Sequence, residues 1–245
     1  MEPFPIPAPA FNGNSRVIAA GNAFEWLKQG WVLFVANPGL WIAMTIVLLV
    51  LLLGMNIVPL IGTLAAHLLT PLLGAGMLLA CRKVSIGEAL EIADLFVGFK
   101  QNTTHLLMLG VLYMAALLVI QVIVFLLGGG SVAGGLFMGN PAGVGLALGG
   151  MMLAIVLSLA ISVPLFMAIW FAPALVFFNN MPPLDALKAS FNACLKNTLA
   201  FLVYGLIVLV LMFFAVLPVG LGFLVLIPVL SGSVYASYRD IFLAN

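Results

Sequence analysis

Asp, Glu, Lys and Arg are missing from three long blocks of this chain, residues 29–81, 101–184 and 197–238, and nothing else constrains its fold as tightly. A Lys or Arg at the centre of a membrane span costs about 2.5–3.5 kcal/mol on insertion scales, and a span needs roughly 20 apolar residues. Each block is too long for one crossing and suits two, so the charged segments at its two ends face the same side. Arg16, Lys28, Arg82, Lys83, Lys100, Lys188, Lys196 and Arg239, all eight Lys and Arg, then share one side. The positive-inside rule makes that side the cytoplasm and places both termini there. Composition agrees: 65% of the 245 residues are hydrophobic and 6% charged, against about 25% charged in soluble domains. A formal net charge of +1 offers no argument for a nucleic-acid partner, and two cysteines are too few for a disulfide framework.

The expected fold is an all-α polytopic membrane bundle of about six transmembrane helices. The spans are predicted at 38–55, 59–80, 103–127, one within 144–178, 198–217 and 218–236. The fourth is either kinked at Pro164 and Pro173 or preceded by a re-entrant piece. Residues 1–15 carry four prolines within the first nine positions and read as an extended, flexible arm rather than a signal peptide. Residues 16–245 form a single membrane domain. Residues 128–143, rich in glycine and free of charge, read as a flexible external loop.

Charged segments precede the outgoing spans in a recurring pattern. In residues 184–197, Leu184, Leu187, Phe191 and Cys194 form one helical stripe, and Asp185, Lys188, Asn192 and Lys196 the opposite one. Phe24, Leu27, Trp31 and Phe34 repeat this beside Glu25 and Lys28. Ile86, Leu90, Ala93 and Val97 do so beside Glu88, Glu91, Asp94 and Lys100. The chain therefore reads as three repeats, about 16–83, 84–181 and 182–245, each an amphipathic interfacial helix followed by a transmembrane hairpin. Asn37-Pro38, Asn102-Thr103 and Asn197-Thr198 sit where outgoing helices begin, as N-caps whose side chains would accept from the first turn. The returning spans share a pattern from Pro71 and Pro228, in which Gly74, Ala75 and Gly76 align with Ser231, Gly232 and Ser233, small residues that let helices approach closely.

The segments WFAPALVFF (170–178), ALKASFNACLKNTLAFL (186–202) and IGTLAAHLLTPLLGAG (61–76) resemble those of an uncharacterised group of proteobacterial, mainly betaproteobacterial, inner-membrane proteins. More loosely, the alternation of amphipathic helix and hairpin is similar to the membrane domain of some glycerophosphodiester phosphodiesterases. The narrower resemblance implies a multi-pass inner-membrane location and no activity. The catalytic domain of the looser relatives has no counterpart here.

Residues able to carry chemistry are few. His67, midway along the second span, is the one titratable group expected at depth; a proton relay, a metal ligand and an inter-helix hydrogen bond all fit it. His105 opens the third span near the surface. No HExxH-like or acidic cluster suggests a metal, no glycine-rich loop precedes a Lys-Ser/Thr pair, and Ser158 and Ser162 have no base in sequence reach. Asn56, Tyr113, Gln121 and Asn140 suit a polar path or ordinary turn and packing roles. Trp26, Trp31, Trp41, Trp170 and Tyr238 map to the cytoplasmic half and read as an interfacial aromatic belt.

A non-catalytic scaffold, assembly factor or accessory subunit, without cofactor or metal, is the leading expectation. Its interaction surface would be the cytoplasmic ring of amphipathic helices carrying Trp26, Lys28, Glu91, Lys100, Asp185, Lys188 and Lys196. Membrane lipids, a second copy of the chain or other membrane proteins are its expected partners. A transporter or lipid-handling protein is the alternative, and an intramembrane enzyme using His67 is the third reading.

Overall fold

The fold, given by a computed structural model, is described for residue 11 and residues 13–58, 61–138 and 141–243. Most of the proline-rich arm, and Asn140, lie outside these residues. Every regular element within them is helical: α1 (Asn22–Ala36), α2 (Pro38–Met55), α3 (Ile61–Ser85), a 3₁₀ segment (Ile92–Phe99), α4 (Thr103–Val124), α5 (Gly130–Met138), α6 (Pro141–Trp170), α7 (Ala172–Asn179), α8 (Pro183–Lys196), α9 (Thr198–Val216) and α10 (Phe223–Tyr238). Five stretches among them are long and apolar enough to cross a membrane, namely α2, α3, Thr103–Gly135, Ala142–Asn179 and α9. The last helix, α10, has 16 residues and runs on into a π-helical turn, Arg239–Leu243.

The core lies at the end of the bundle that carries the charges. Burial in α3 is concentrated between Pro71 and Cys81 and in α10 between Leu226 and Tyr238, and both join α7 and α8 in one cluster. The flanks of α2, α4, α6 and α9 present large apolar side chains outward, among them Leu53, Val119, Leu159 and Leu209. Such a surface suits hydrocarbon rather than water. Three packings organise the charged end. The 3₁₀ segment lies on α3, α8 lies on α6, and α1 lies on α10. The approaches are close enough to demand small residues: a Cβ on Gly76 would stand 2.2 Å from the Leu95 carbonyl oxygen, and one on Gly30 would stand 2.2 Å from that of Val229.

Several sequence expectations are corrected. Residues 128–138 and 141–143 are not a flexible loop but helix, entered through a π-helical turn (Phe125–Gly129). A Cβ on Gly135 would stand 2.3 Å from the Gly143 carbonyl oxygen, so glycine here brings α5 and α6 into contact. The fourth span has no re-entrant piece among the described residues; α6 continues through Pro164 to Trp170, and after Phe171 the chain re-enters helix at Ala172 with Pro173 in the first turn of α7. The amphipathic helix expected over residues 86–100 is limited to the 3₁₀ segment, and Ile86 and Ala93 are exposed while Leu90, Leu95 and Val97 are buried.

The apolar stripes expected on α1 and α8 divide between core and outside. Ala23, Trp26, Gly30 and Phe34 are the buried residues of α1, with Phe24 and Trp31 exposed; Ala186, Ser190, Ala193 and Cys194 are buried in α8, with Leu184 exposed. Trp26 and Phe34 fill the core on α1, and small residues such as Gly30, Ala186 and Ser190 stand where helices approach closely, as is common between membrane helices. The aromatic belt likewise dissolves. Trp26, Trp41 and Tyr238 are each at most 1% exposed, and Trp26 and Trp170 both pack against Phe201 and Tyr204. Of the four tryptophans, Trp31 alone is largely exposed.

Candidate functional site

The break between α6 and α7 is the point from which the most unusual local chemistry can be built. A helix that stops inside the protein leaves backbone donors and acceptors without partners. Ser190 of α8, fully buried, supplies them: its Oγ accepts from the Phe171 N–H (2.9 Å) and donates to the Met167 carbonyl (2.7 Å). Cys194, one turn further along α8, lies 3.5 Å from the same carbonyl. Ser190→Ala is expected to leave two buried backbone groups poorly satisfied and to cost about 2 kcal/mol, read as a lower thermal midpoint of the detergent-solubilised protein.

Beside this break lies a cavity of about 660 Å³ between α4, α6, α9 and α10, within the roughly 300–1,000 Å³ range of ligand sites. Leu159, Val163 and Leu202, all exposed on the flank of the bundle, line its rim, while Trp170, Phe201 and Tyr204 form its inner wall. Among the described residues no Asp, Glu, Lys, Arg or His lines it. The polar groups in the wall are largely spent within the protein: the Tyr204 hydroxyl is paired with Ser233 Oγ at 2.6 Å. The buried Trp170 Nε1 is the exception, with no hydrogen-bond partner among the described residues. An apolar chain fits such a space.

Elsewhere the polar side chains join elements. Asp94, 7% exposed, is paired with Lys83 Nζ at 2.7 Å and accepts from the Glu91 N–H at 2.9 Å, while the Glu91 carboxylate caps the 3₁₀ segment in return. Asp240 accepts from Asn22 Nδ2 (2.7 Å) and Trp26 Nε1 (3.1 Å) and forms an ion pair with Arg16. Burial acts to raise the Asp240 carboxyl, but the hydrogen bonds from Asn22, Trp26 and Arg16 outweigh it and hold the group below its ordinary range.

The three junction asparagines occupy the expected N-cap positions, yet none makes a side-chain cap. Asn102, in a left-handed conformation, donates to the Val176 and Phe177 carbonyls and to Asn180 Oδ1. Asn197 accepts from the Ile18 N–H and donates to the Arg16 carbonyl. They tie the starts of α4 and α9 to distant segments.

Of the proposed surface residues, Lys28, Glu91, Lys100, Asp185, Lys188 and Lys196 are exposed, distributed over α1, the 3₁₀ segment and α8. Lys196 reaches Ser15, with Oγ at 3.3 Å. Trp26 is corrected: its ring is core and its N–H is committed to Asp240. His67 is half-buried, its Nδ1 2.7 Å from the Thr63 carbonyl one turn back and its ring 6.1 Å from that of Tyr113. No group of three or more His, Cys, Asp or Glu is placed to hold a metal among the described residues. Sequence reasoning missed Ser190, Asp240 and the cavity. The small-residue spacing Ala186, Ser190, Ala193 was the available signal for the first.

Both cysteines are buried and unpaired, and burial pushes the Cys194 thiol up to about 12. Maleimide at neutral pH is therefore expected to leave the folded protein unlabelled, before and after lysis, and to label it on denaturation. Labelling of the native fold would contradict the packing of α3 or α8.

Over 226 residues the chain is 31% identical to the "Probable inner membrane protein BTH_II0599" of Burkholderia thailandensis, covering 89% of this chain and 82% of that protein. No protein-family model and no solved structure matches it.

Proposed function

The chain belongs to the family of that Burkholderia inner-membrane protein, and on this premise we propose that it acts as a non-catalytic scaffold, assembly factor or accessory subunit. It is a multi-pass inner-membrane protein. In the proposed arrangement it crosses six times in three repeats, with both termini in the cytoplasm. The repeats gain support from the packing of the charged end, where α3 carries the 3₁₀ segment that follows it, α6 carries α8, and α10 carries α1. Each returning helix thus holds the amphipathic element that heads the next unit, and the last holds the first. The looser likeness to the membrane domain of glycerophosphodiester phosphodiesterases is part of the same proposal and rests on the alternation of helix and hairpin.

The observation that carries the scaffold reading is the division of labour among polar groups. Lys83, Asp94, Asn102, Ser190, Asn197 and Asp240 are used to bind elements together. Lys28, Lys100, Asp185 and Lys188 stand exposed at the same end. Reversing charge at Asp185→Lys with Lys188→Glu should leave the fold intact and remove a co-purifying protein seen by chemical cross-linking and native mass measurement. A strictly monomeric protein with no co-purifying partner would overturn the reading. Topology is tested in the same preparations: Val219→Cys, in the α9–α10 turn, should label with an impermeant maleimide in intact spheroplasts, and Lys188→Cys only after lysis.

The cavity favours a second reading, lipid handling. Leu202→Trp, filling the rim, should reduce co-purifying lipid without lowering the thermal midpoint; unchanged lipid content removes this reading.

A further inference from the structure

We propose that the recess between α1, the end of α3 and α10 binds the phosphate of an anionic lipid headgroup. This recess, about 330 Å³, is separate from the apolar cavity and goes beyond both functional readings. Four donors border it: Lys28 and Gln29 of α1, Tyr235 of α10, and Arg239 just beyond α10. Their hydrogen-bonding capacity is largely unused. The Gln29 amide and the Arg239 guanidinium have no hydrogen-bond or carboxylate partner among the described residues, Arg239 lying instead 5.9 Å over the Tyr235 ring. The Tyr235 hydroxyl has a single long contact, 3.5 Å to Ser85 Oγ, and that serine already donates to the Arg82 carbonyl at 2.7 Å.

Two carboxylates could neutralise these cations, and neither does so strongly. Glu25, which also borders the recess, reaches Lys28 only at 3.7 Å, with both side chains mostly exposed, a geometry worth little in water and easily exchanged for a better anion. Asp240, next in sequence to Arg239, is committed to Arg16, Asn22 and Trp26. A guanidinium and an ammonium on facing helices, with amide and phenol donors between them, match the oxygens of a phosphate.

The rest of the wall points to a lipid rather than a free anion. Going along α1 from Lys28 toward its end, the lining changes to Val32 and Ala36, faced by Val84 of α3; directly after Ala36 the chain enters the apolar helix α2. The same recess thus offers charge to a headgroup and apolar wall to the start of an acyl chain. The α1–α10 seam at Gly30 and Gly232, where a Cβ on Gly232 would lie 2.8 Å from the Gly30 Cα, fixes the two cation-bearing helices relative to each other, so the site is preformed. Cations at the positively charged membrane face are also where anionic lipids are recognised.

The test uses the full-length protein in neutral detergent and native mass measurement of bound phosphatidylglycerol, with phosphatidylcholine, glycerol phosphate and inorganic phosphate as parallel probes. Phosphatidylglycerol should be retained at least tenfold more tightly than any of the other three. Lys28→Gln with Arg239→Gln should remove that preference, whereas Lys100→Gln with Lys188→Gln, the same change of charge elsewhere, should leave it, with thermal midpoints equal to wild type in both. Equal loss in the two double variants would make the effect general surface charge and overturn the proposal, as would no loss in the first. Binding of inorganic phosphate or glycerol phosphate as tightly as the lipid would overturn the lipid assignment. These outcomes are distinguishable from failure of the scaffold and cavity readings, whose tests read a co-purifying protein after reversal at Asp185 and Lys188 and lipid content after Leu202→Trp.

Discussion

Gly30→Ala is expected to lower the thermal midpoint of the solubilised protein by about 5 °C or more, while Gly39→Ala leaves it unchanged or slightly raised. The added methyl group at position 30 would stand 2.2 Å from the Val229 carbonyl oxygen and 2.9 Å from the Ser233 nitrogen. Both are backbone atoms of α10, so relief requires moving a helix rather than turning a side chain. Overpacking of this kind costs about 1–3 kcal/mol and sometimes more, and for a chain of this length each kcal/mol shifts the midpoint by roughly 2–4 °C. At Gly39 a Cβ meets nothing within 4 Å, so the change removes only the helix penalty of glycine, about 0.5–1 kcal/mol. Equal midpoints for the two variants would show that α1 does not lie on α10 as described.

Asp240→Ala should be the most damaging change among the charged residues, at about 3 kcal/mol, because hydrogen bonds to a charged group are worth roughly 1.5–3 kcal/mol each and are not additive. Its loss strands the indole N–H of Trp26, which is 1% exposed. Arg16→Ala should cost far less, about 1 kcal/mol or below, since that side chain is 42% exposed and its pair is solvent-screened. The pH dependence follows from the depressed carboxyl. The stabilisation is complete above the ordinary carboxylate range near pH ~4 and is lost as pH falls through the lower value in the folded protein. An acid titration of thermal stability should therefore show a downward limb below about pH 4 that is weakened in Asp240→Asn. An unchanged limb in that variant would assign it to other carboxylates.

Much of the architecture was readable because membrane insertion punishes charge so severely. The charge-free blocks predicted helices at 38–55 and 198–217 that the structure places at Pro38–Met55 and Thr198–Val216. What could not be read was the destination of side chains acting over long sequence distances. Asn102 and Asn197 look like local caps, and their actual partners lie 74 to 78 and 179 to 181 positions away. Rules learned from soluble proteins also misdirect in a bilayer. Glycines at 128–143 suggest a loop where water solvates the backbone, but here they permit α5 and α6 to touch. The apolar stripes on α1 and α8 split in the structure, with Phe34 and Cys194 buried and Phe24, Trp31 and Leu184 exposed, because with hydrocarbon outside a bulky residue need not turn inward. Trp26 and Tyr238 were assigned to the interface for the same reason, and their hydrogen bonds to Asp240 and Asn179 show how an aromatic polar tip is satisfied without water.

Because α1 lies on α10, and Arg16 and Asn22 meet Asp240, α1 finds its full seat only after α10 has been made. Until then Gly30 lacks the helix it rests against and the Trp26 N–H lacks its carboxylate. A transcript truncated before α10 should therefore yield a product in which α1 is unsealed and open to proteolysis at the membrane face. Joining the two ends and opening the chain in another connection would, by the same geometry, allow α10 and α1 to be synthesised as neighbours.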